Sequence, residues 1–264
     1  MYPILFKIPV FGLFGLDSIP IHSYGLMVAL GFLAGSWYVK REAMKAGEDP
    51  AKALDLVFYI LIAAILGSRI LYVLTSERER LFQDPFFLFK IWEGGLVFYG
   101  GLIASVLVAI WFLKKYRISF WKYADFFAPA LALGHAIGRQ GCFLAGCCYG
   151  RPLLVSAWFS VTFPTNINSL APAGIPLYST QLMESLGEFL IFLGLAWGLR
   201  RKKFDGQIFI LYLMIYAGLR FVIEFFRGDI ERGFVLETWI STSQFIATIL
   251  FAFGLGLYLY RRRV

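Results

Sequence analysis

Seven stretches of predominantly apolar residues recur along this chain, near residues 22–39, 54–75, 93–113, 121–145, 180–199, 206–226 and 239–260. Each is close to the roughly 20 residues a helix needs to cross the hydrocarbon core of a bilayer. In that medium every backbone N–H and C=O must be satisfied internally, which leaves the helix or the closed barrel. Strands of an outer-membrane barrel would alternate with period 2 over about 10 residues, and no such pattern is present. Charge content agrees. Of 264 residues only 16% are charged and 59% are hydrophobic, against about 25% charged in a soluble domain. The sequence predicts an all-α polytopic membrane protein, a bundle of seven transmembrane helices forming one domain over residues 1–264.

Orientation follows from Lys and Arg in the loops, which concentrate on the cytoplasmic side. One set of loops holds clusters at Lys40, Arg41, Lys45 and Lys52, at Lys114, Lys115, Arg117 and Lys122, at residues 200–203 and at residues 261–263, fifteen in all. The other side holds seven: Lys7, Arg78, Arg80, Lys90, Arg151, Arg227 and Arg232. The N-terminus is therefore expected outside and the C-terminus in the cytoplasm. The net charge of +8 is a topology signal. Short clusters beside membrane edges argue against nucleic-acid binding. Residues 1–21 lack a basic start, one clean apolar run and a cleavage site, so they do not read as a removable signal peptide. Broken by Pro3, Pro9 and Pro20, they are expected to form an external arm on the membrane surface. Residues 146–179, with four prolines, are expected to form an external cap or loop.

The remaining charges are biased in depth. Arg69, Arg139 and Arg220 fall in the outer halves of their spans, as do or nearly do Tyr24, Glu93, Tyr99, His135, Glu184, Glu188, Glu224 and the polar run from Thr238 to Gln244. A charge at the centre of a bilayer costs roughly 2.5–3.5 kcal/mol on insertion scales. The economical arrangement is a shared polar cavity open to the outer leaflet. His135 and Arg139 are four residues apart, as are Arg220 and Glu224, so each pair occupies one helix face. Gly134, Gly138 and Gly141 would let a neighbouring helix approach closely. Arginine suits bidentate phosphate binding, and the phosphate at this depth is a lipid headgroup. Two readings stay open beside this. Arg220–Glu224 also fits a structural intramembrane ion pair, and His135 also fits a hydrogen-bonded packing residue.

Five segments carry a resemblance: IHSYGLMVALGF at 21–32, WEGGLVFYGGL at 92–102, GRQGCFLAGCCYG at 138–150, STQLMES at 179–185 and GLRFVIEFFR at 218–227. In this order they resemble the bacterial phosphatidylglycerol–prolipoprotein diacylglyceryl transferase family over essentially the whole chain. The resemblance implies an enzyme of the bacterial cytoplasmic (inner) membrane, with its active site facing the outer leaflet. It would transfer the diacylglyceryl group of phosphatidylglycerol to the lipobox cysteine of a preprolipoprotein signal peptide, releasing glycerol 1-phosphate. By motif position Arg139, Arg220, Glu224, Tyr99 and Tyr24 are implied as catalytic. Arg139, Gly141, Gly150, Gln181, Arg220, Arg227 and His135 are implied as substrate-binding. No cofactor or metal is implied. A paralogue with another lipid donor or acceptor, or a non-catalytic phospholipid-binding or transport protein, is the alternative.

The chain departs from the family's pattern at Cys142, Ala145 and Cys147, where Asn, Asn and Glu are usual, and at Tyr99 and Tyr178, where histidine is usual. A phenol, with an ordinary pKa near about 10, is a poor general base at neutral pH. The base would then be His135, Glu224 or water, or the positive cavity itself would activate the thiol. The three cysteines admit three readings. They pack as small apolar residues, or Cys142 pairs with Cys147 or Cys148, or they bind metal, the weakest reading because C-x4-C-C is no standard zinc spacing.

Overall fold

The computed structural model describes residues 2–9, 18–91, 94–165, 169–229, 233–235 and 240–263. Glu93, Arg232 and Thr238 lie outside them. The chain opens with a hairpin, β1 (Ile4–Pro9) paired antiparallel with β2 (Ser18–His22). Then come α1 (Ser23–Lys45), α2 (Pro50–Ser76), the short α3 (Arg78–Gln83), a 3-10 turn at Pro85–Phe89, α4 (Phe98–Lys115) and α5 (Phe120–Ala145). The strands β3 (Ser160–Thr162) and β4 (Pro176–Tyr178) form a small ribbon ahead of α6 (Thr180–Leu199) and α7 (Gln207–Glu224). A minimal ribbon of β5 (Phe234–Val235) and β6 (Ile240–Ser241) precedes α8 (Thr242–Arg263).

The protein is thus mostly helical. Five helices, α2, α4, α6, α7 and α8, are long and apolar enough to cross a membrane. Their outward faces carry large apolar side chains such as Leu66, Leu107, Leu190 and Phe253, each more than a third exposed. A surface of that kind is stable against lipid and not against water, which makes this a multi-pass membrane protein. Helix α4 starts at Phe98, five residues later than the predicted span, because Gly94 and Gly95 turn through φ of +81° and +77° just before it. The stretch expected to form an N-terminal arm carries the β1–β2 hairpin.

The chain divides into two compact units. One comprises Met1–Tyr38 with Ala124–Val264, the other Val39–Tyr123. In the second unit, α2 packs on α4, and Arg69 corrects one expectation. Among the described residues its guanidinium meets backbone carbonyls and no carboxylate. It donates to the carbonyls of Phe87 (2.8 Å), Leu88 (3.3 Å), Lys90 (2.9 Å), Gly95 (3.3 Å) and Gly94. Five donors thus meet five backbone acceptors, the full capacity of a guanidinium. The Phe87 ring lies 4.6 Å from the guanidinium carbon. Arg69 is the clamp that folds the α3–α4 connection onto α2.

In the first unit, α1 and α5 cross at Gly31 and Gly134. A Cβ on Gly31 would come within 2.7 Å of the Gly134 carbonyl oxygen, so the helices touch backbone to backbone. Gly141 sits against Tyr24 and Met27 along the same seam, whereas Gly138 has nothing within 4 Å of its would-be Cβ. The start of α7 is held by Asp125 of α5. Its carboxylate accepts from the backbone N–H of Gly206, Ile208 and Phe209 at 2.8–3.0 Å and from Lys202 at 2.9 Å. Asp125 therefore supplies the acceptors that the first turn of a helix lacks. Burial lowers the Lys202 pKa, but its hydrogen bonds to Asp205 and Asp125 raise it by more.

Candidate functional site

Four helices of the first unit bring their polar residues to one end, that of the C-termini of α5 and α7 and the N-termini of α6 and α8. The organising group is Glu184 of α6. Its side chain is 1% exposed. One oxygen, Oε2, is paired with Arg139 Nη2 of α5 and lies 3.5 Å from Arg220 Nη1 of α7. Arg220 also reaches Glu224 one turn on (2.9 Å) and donates to Ser243 Oγ of α8 (3.1 Å). One turn from Glu184 on the same helix face, Glu188 meets His135 Nδ1 at 2.8 Å, while His135 Nε2 lies 3.7 Å from Glu184. The predicted convergence of Arg139, Arg220, Glu224 and His135 is therefore present. The carboxylates Glu184 and Glu188 at its centre were visible as charges inside a span, and Glu184 lies in the STQLMES segment, but neither is among the site residues that the resemblance implied.

Charges this deep persist because each faces an opposite charge. The arrangement is nonetheless incomplete as a closed network. Arg139 Nε and Gln181 Oε1 are buried with no hydrogen-bond partner among the described residues. Beside the cluster an open, mostly apolar cleft of about 330 Å³ lies between α1, α5 and α6, lined by Met27, Ala136, Ile137, Leu182, Leu186 and Phe189. Its polar members are Gln140 and Ser185, hydrogen-bonded to each other at 2.7 Å. These two directly follow Arg139 and Glu184 in sequence. A polar head held at the arginines could thus place an acyl chain along this cleft.

Tyr24, 48% exposed, stands at the start of α1, its Cα 3.2 Å from the would-be Cβ of Gly141. Gly150 pairs with Arg227 as an isolated backbone bridge, and its N–H donates to the Tyr178 carbonyl at 3.2 Å. The Arg227 guanidinium forks onto Asp229, Nε to Oδ1 at 2.8 Å and Nη2 to Oδ2. Burial lowers its pKa, but Asp229 raises it to a net upward shift. Gln181 spends its amide N–H on the Cys147 carbonyl, at 2.8 Å. Tyr99 lies in α4 of the second unit, half-exposed, edge-on to Phe98.

Just beyond α5, Gly146 (φ +76°) and Cys148 (φ +57°) turn the chain back on itself. The three cysteines are free thiols. Arg139 Nη1 lies 3.7 Å from Cys142 Sγ. Hydrogen bonds from Cys142 and Cys147 draw the Cys148 thiol below the usual range, helped by the positive field of Arg139 and Arg227 and opposed by burial. Hydrogen bonds to Cys142 and Cys148, together with burial, push Cys147 up.

Comparison with known proteins shows the family. Residues 11–260 match the family model described as prolipoprotein diacylglyceryl transferase. The chain is 38% identical over 247 residues to phosphatidylglycerol–prolipoprotein diacylglyceryl transferase 2 of Clostridium perfringens, covering 93% of this chain and 92% of that one. It is 36% identical over 260 residues to the phosphatidylglycerol–prolipoprotein diacylglyceryl transferase of Clostridium tetani, covering 98% and 97%. The similarly named protein of Chromohalobacter salexigens is 35% identical over 253 residues, covering 94% and 91%. With a match of this extent to the family and to such relatives, the chain belongs to the prolipoprotein diacylglyceryl transferase family.

Proposed function

We propose that this protein is a phosphatidylglycerol–prolipoprotein diacylglyceryl transferase. It moves the diacylglyceryl group of phosphatidylglycerol to the thiol of the lipobox cysteine in a preprolipoprotein. A carbon–sulfur bond forms as the bond between the glyceryl carbon and the phosphate oxygen breaks. The thiol proton passes to the site or to solvent, and glycerol 1-phosphate leaves. The observation that carries this reading is the meeting of Arg139 and Arg220 on one carboxylate oxygen of Glu184, next to an apolar cleft.

The chemistry moves negative charge from a thiolate onto a departing phosphate. Two guanidiniums fixed before the substrate arrives stabilise that charge where it develops, with little reorganisation during the reaction. Glu184 holds both in register in the resting protein, and Glu224 and Ser243 fix the second fork of Arg220. The phosphodiester takes its place between the two arginines, with an acyl chain along the α1–α5–α6 cleft. His135, oriented by Glu188, and Gln181 complete the polar wall. The positive field lowers the cost of ionising the incoming thiol. Tyr24 and Tyr99 serve the substrate as hydrogen-bond donors, the role a phenol fills better than that of a base. Gly141 and Gly150 keep backbone close to the headgroup, and Arg227 acts from its pairing with Asp229.

The same reading extends to the setting. Seven spans form one integral-membrane transferase domain in the bacterial cytoplasmic membrane, with the N-terminus outside, the C-terminus in the cytoplasm and the site at the outer leaflet. The polar ends of α5, α6, α7 and α8 gathered at one end, with Lys202 and Arg261–Arg263 at the opposite helix ends, support it. Incubating the detergent-purified protein with phosphatidylglycerol and a lipobox peptide tests it. A peptide heavier by one diacylglyceryl group is the expected product. An unmodified peptide, from protein shown to be folded, contradicts the proposal.

A further inference from the structure

We propose that Cys142, Cys147 and Cys148 form a three-thiolate site for a single thiophilic metal ion of the Zn²⁺ or Cu⁺ class, at the C-terminal end of α5. The chain has only three cysteines, and their sulfurs all lie within 4.8 Å of one another. An ion with metal–sulfur bonds of about 2.3 Å spaces its sulfurs roughly 3.8–4.0 Å apart in tetrahedral or trigonal geometry. The sulfurs therefore need to close by no more than a small side-chain adjustment. The spacing C-x4-C-C is unpromising on a straight helix. Here the helix ends at Ala145 and the chain reverses through two left-handed residues, Gly146 and Cys148. Cysteine does not favour that region, so the turn is held by its surroundings.

Those surroundings are specific. The N–H groups of Gly146 and Cys147 both donate to the Cys142 carbonyl, at 2.9 and 3.1 Å. From α6, Thr180 Oγ1 donates to the Cys148 carbonyl and Gln181 Nε2 to the Cys147 carbonyl, each at 2.8 Å. The backbone carrying the ligands is thus fixed independently of any ion, as a preorganised site requires. The Arg139 guanidinium beside Cys142 offsets the charge of thiolates. A disulfide would use two sulfurs and gives no reason for the third to converge. On binding, each thiol gives its proton to solvent and the ion takes the sulfur lone pairs, with no change of oxidation state. The ion would tie the end of α5 to the turn that follows it, fixing the backbone near Arg139 without entering the transfer reaction.

The test uses the full-length protein in detergent, reduced and stripped of metal, with Cd²⁺ as the spectroscopic probe and no lipid substrate. We expect a thiolate-to-cadmium charge-transfer band that saturates at one equivalent. Three thiols titratable with a disulfide reagent before addition should fall to none after it. Protein isolated from zinc-supplemented cells should carry one zinc per chain by elemental analysis, and C147S should lose it. Three thiols that stay reactive at saturating Cd²⁺ would overturn the site. So would freshly isolated protein two hydrogens lighter with one titratable thiol, or unchanged metal content in the triple variant C142S/C147S/C148S. The wild-type titration decides the matter even if the variants do not fold.

Discussion

Arg139 and Arg220 stand on different helices, 81 residues apart in sequence, and share a single carboxylate oxygen of Glu184. Glu184 is thus the part on which the geometry of both guanidiniums depends. In Glu184→Gln the two like charges lose their common counter-charge in a buried setting. Breaking a buried pair by removing one partner costs about 3–5 kcal/mol. We expect a lower unfolding temperature in detergent together with a fall in kcat. Glu184→Asp, which keeps the charge, should recover much of the stability. Equal unfolding temperatures for Glu184→Gln and wild type would show that Glu184 does not hold the arginines.

Arg69 makes a different prediction, because its partners are backbone carbonyls. Arg69→Met removes five donors at once and leaves the carbonyls of Phe87, Leu88, Lys90, Gly94 and Gly95 without them. Each unsatisfied acceptor that stays buried costs about 1–3 kcal/mol, so the connection is expected to detach and hydrate instead. Limited proteolysis should then cut within residues 84–97 in the variant and spare wild type. Arg69→Lys should be cut as well, since an ammonium offers three donors and not a five-donor fork.

The seam between α1 and α5 has no room for a side chain at Gly31. Gly31→Ala places a Cβ within 2.7 Å of the Gly134 backbone oxygen, which cannot swing aside as a side chain could. Overpacking of this kind costs about 1–3 kcal/mol. Gly138→Ala meets nothing within 4 Å and should change the unfolding temperature little. Thermal unfolding of the two variants side by side reads the difference.

Asp125 closes the opposite end of the first unit. Asp125→Ala deprives three N–H groups at the start of α7 of their acceptor and takes from the Lys202 ammonium one of its two carboxylates. A lost helix cap costs about 0.5–2 kcal/mol, and the weakened pairing of Lys202 adds to that. The folded-state pKa of Lys202 is raised. Its contribution is therefore fully present below the unfolded value and is lost only as pH rises through the higher folded one. The wild-type unfolding temperature should owe no decline to this group between neutrality and about pH 10, and the Asp125→Ala deficit should be constant over that range.

Much of this was legible before any coordinates. Apolar runs of spanning length leave the helix as the local solution; each run overlaps a long helix, and five of those helices are long and apolar enough to cross a membrane. The depth bias of the polar residues, with the four-residue spacing of His135–Arg139 and Arg220–Glu224, pointed to one shared site, and α5 and α7 deliver those four side chains to it, beside Glu184 and Glu188 of α6 and Ser243 of α8. Arg69 was not legible, because a charge inside a span reads alike whether a carboxylate or a loop's carbonyls satisfy it. The central place of Glu184 was hidden for a related reason: which oxygen is shared by which guanidinium depends on helix rotation, not on spacing. The cysteine cluster depends on two left-handed residues, Gly146 and Cys148. The glycine hinted at the turn, but nothing in the sequence marks the cysteine.

In the proposed reaction Arg139 and Arg220 act together on the phosphate that leaves. The most direct measurement is single-turnover diacylglyceryl transfer from phosphatidylglycerol to a lipobox peptide by Arg139→Ala, Arg220→Ala and the double variant, each shown to be folded. Removing one preorganised donor to developing charge costs about 10²–10³ in rate, and groups that act as a unit are far from additive. Each single variant should therefore lose at least about 100-fold, and the double variant should be little worse than either. Wild-type rates in either single variant would contradict the account.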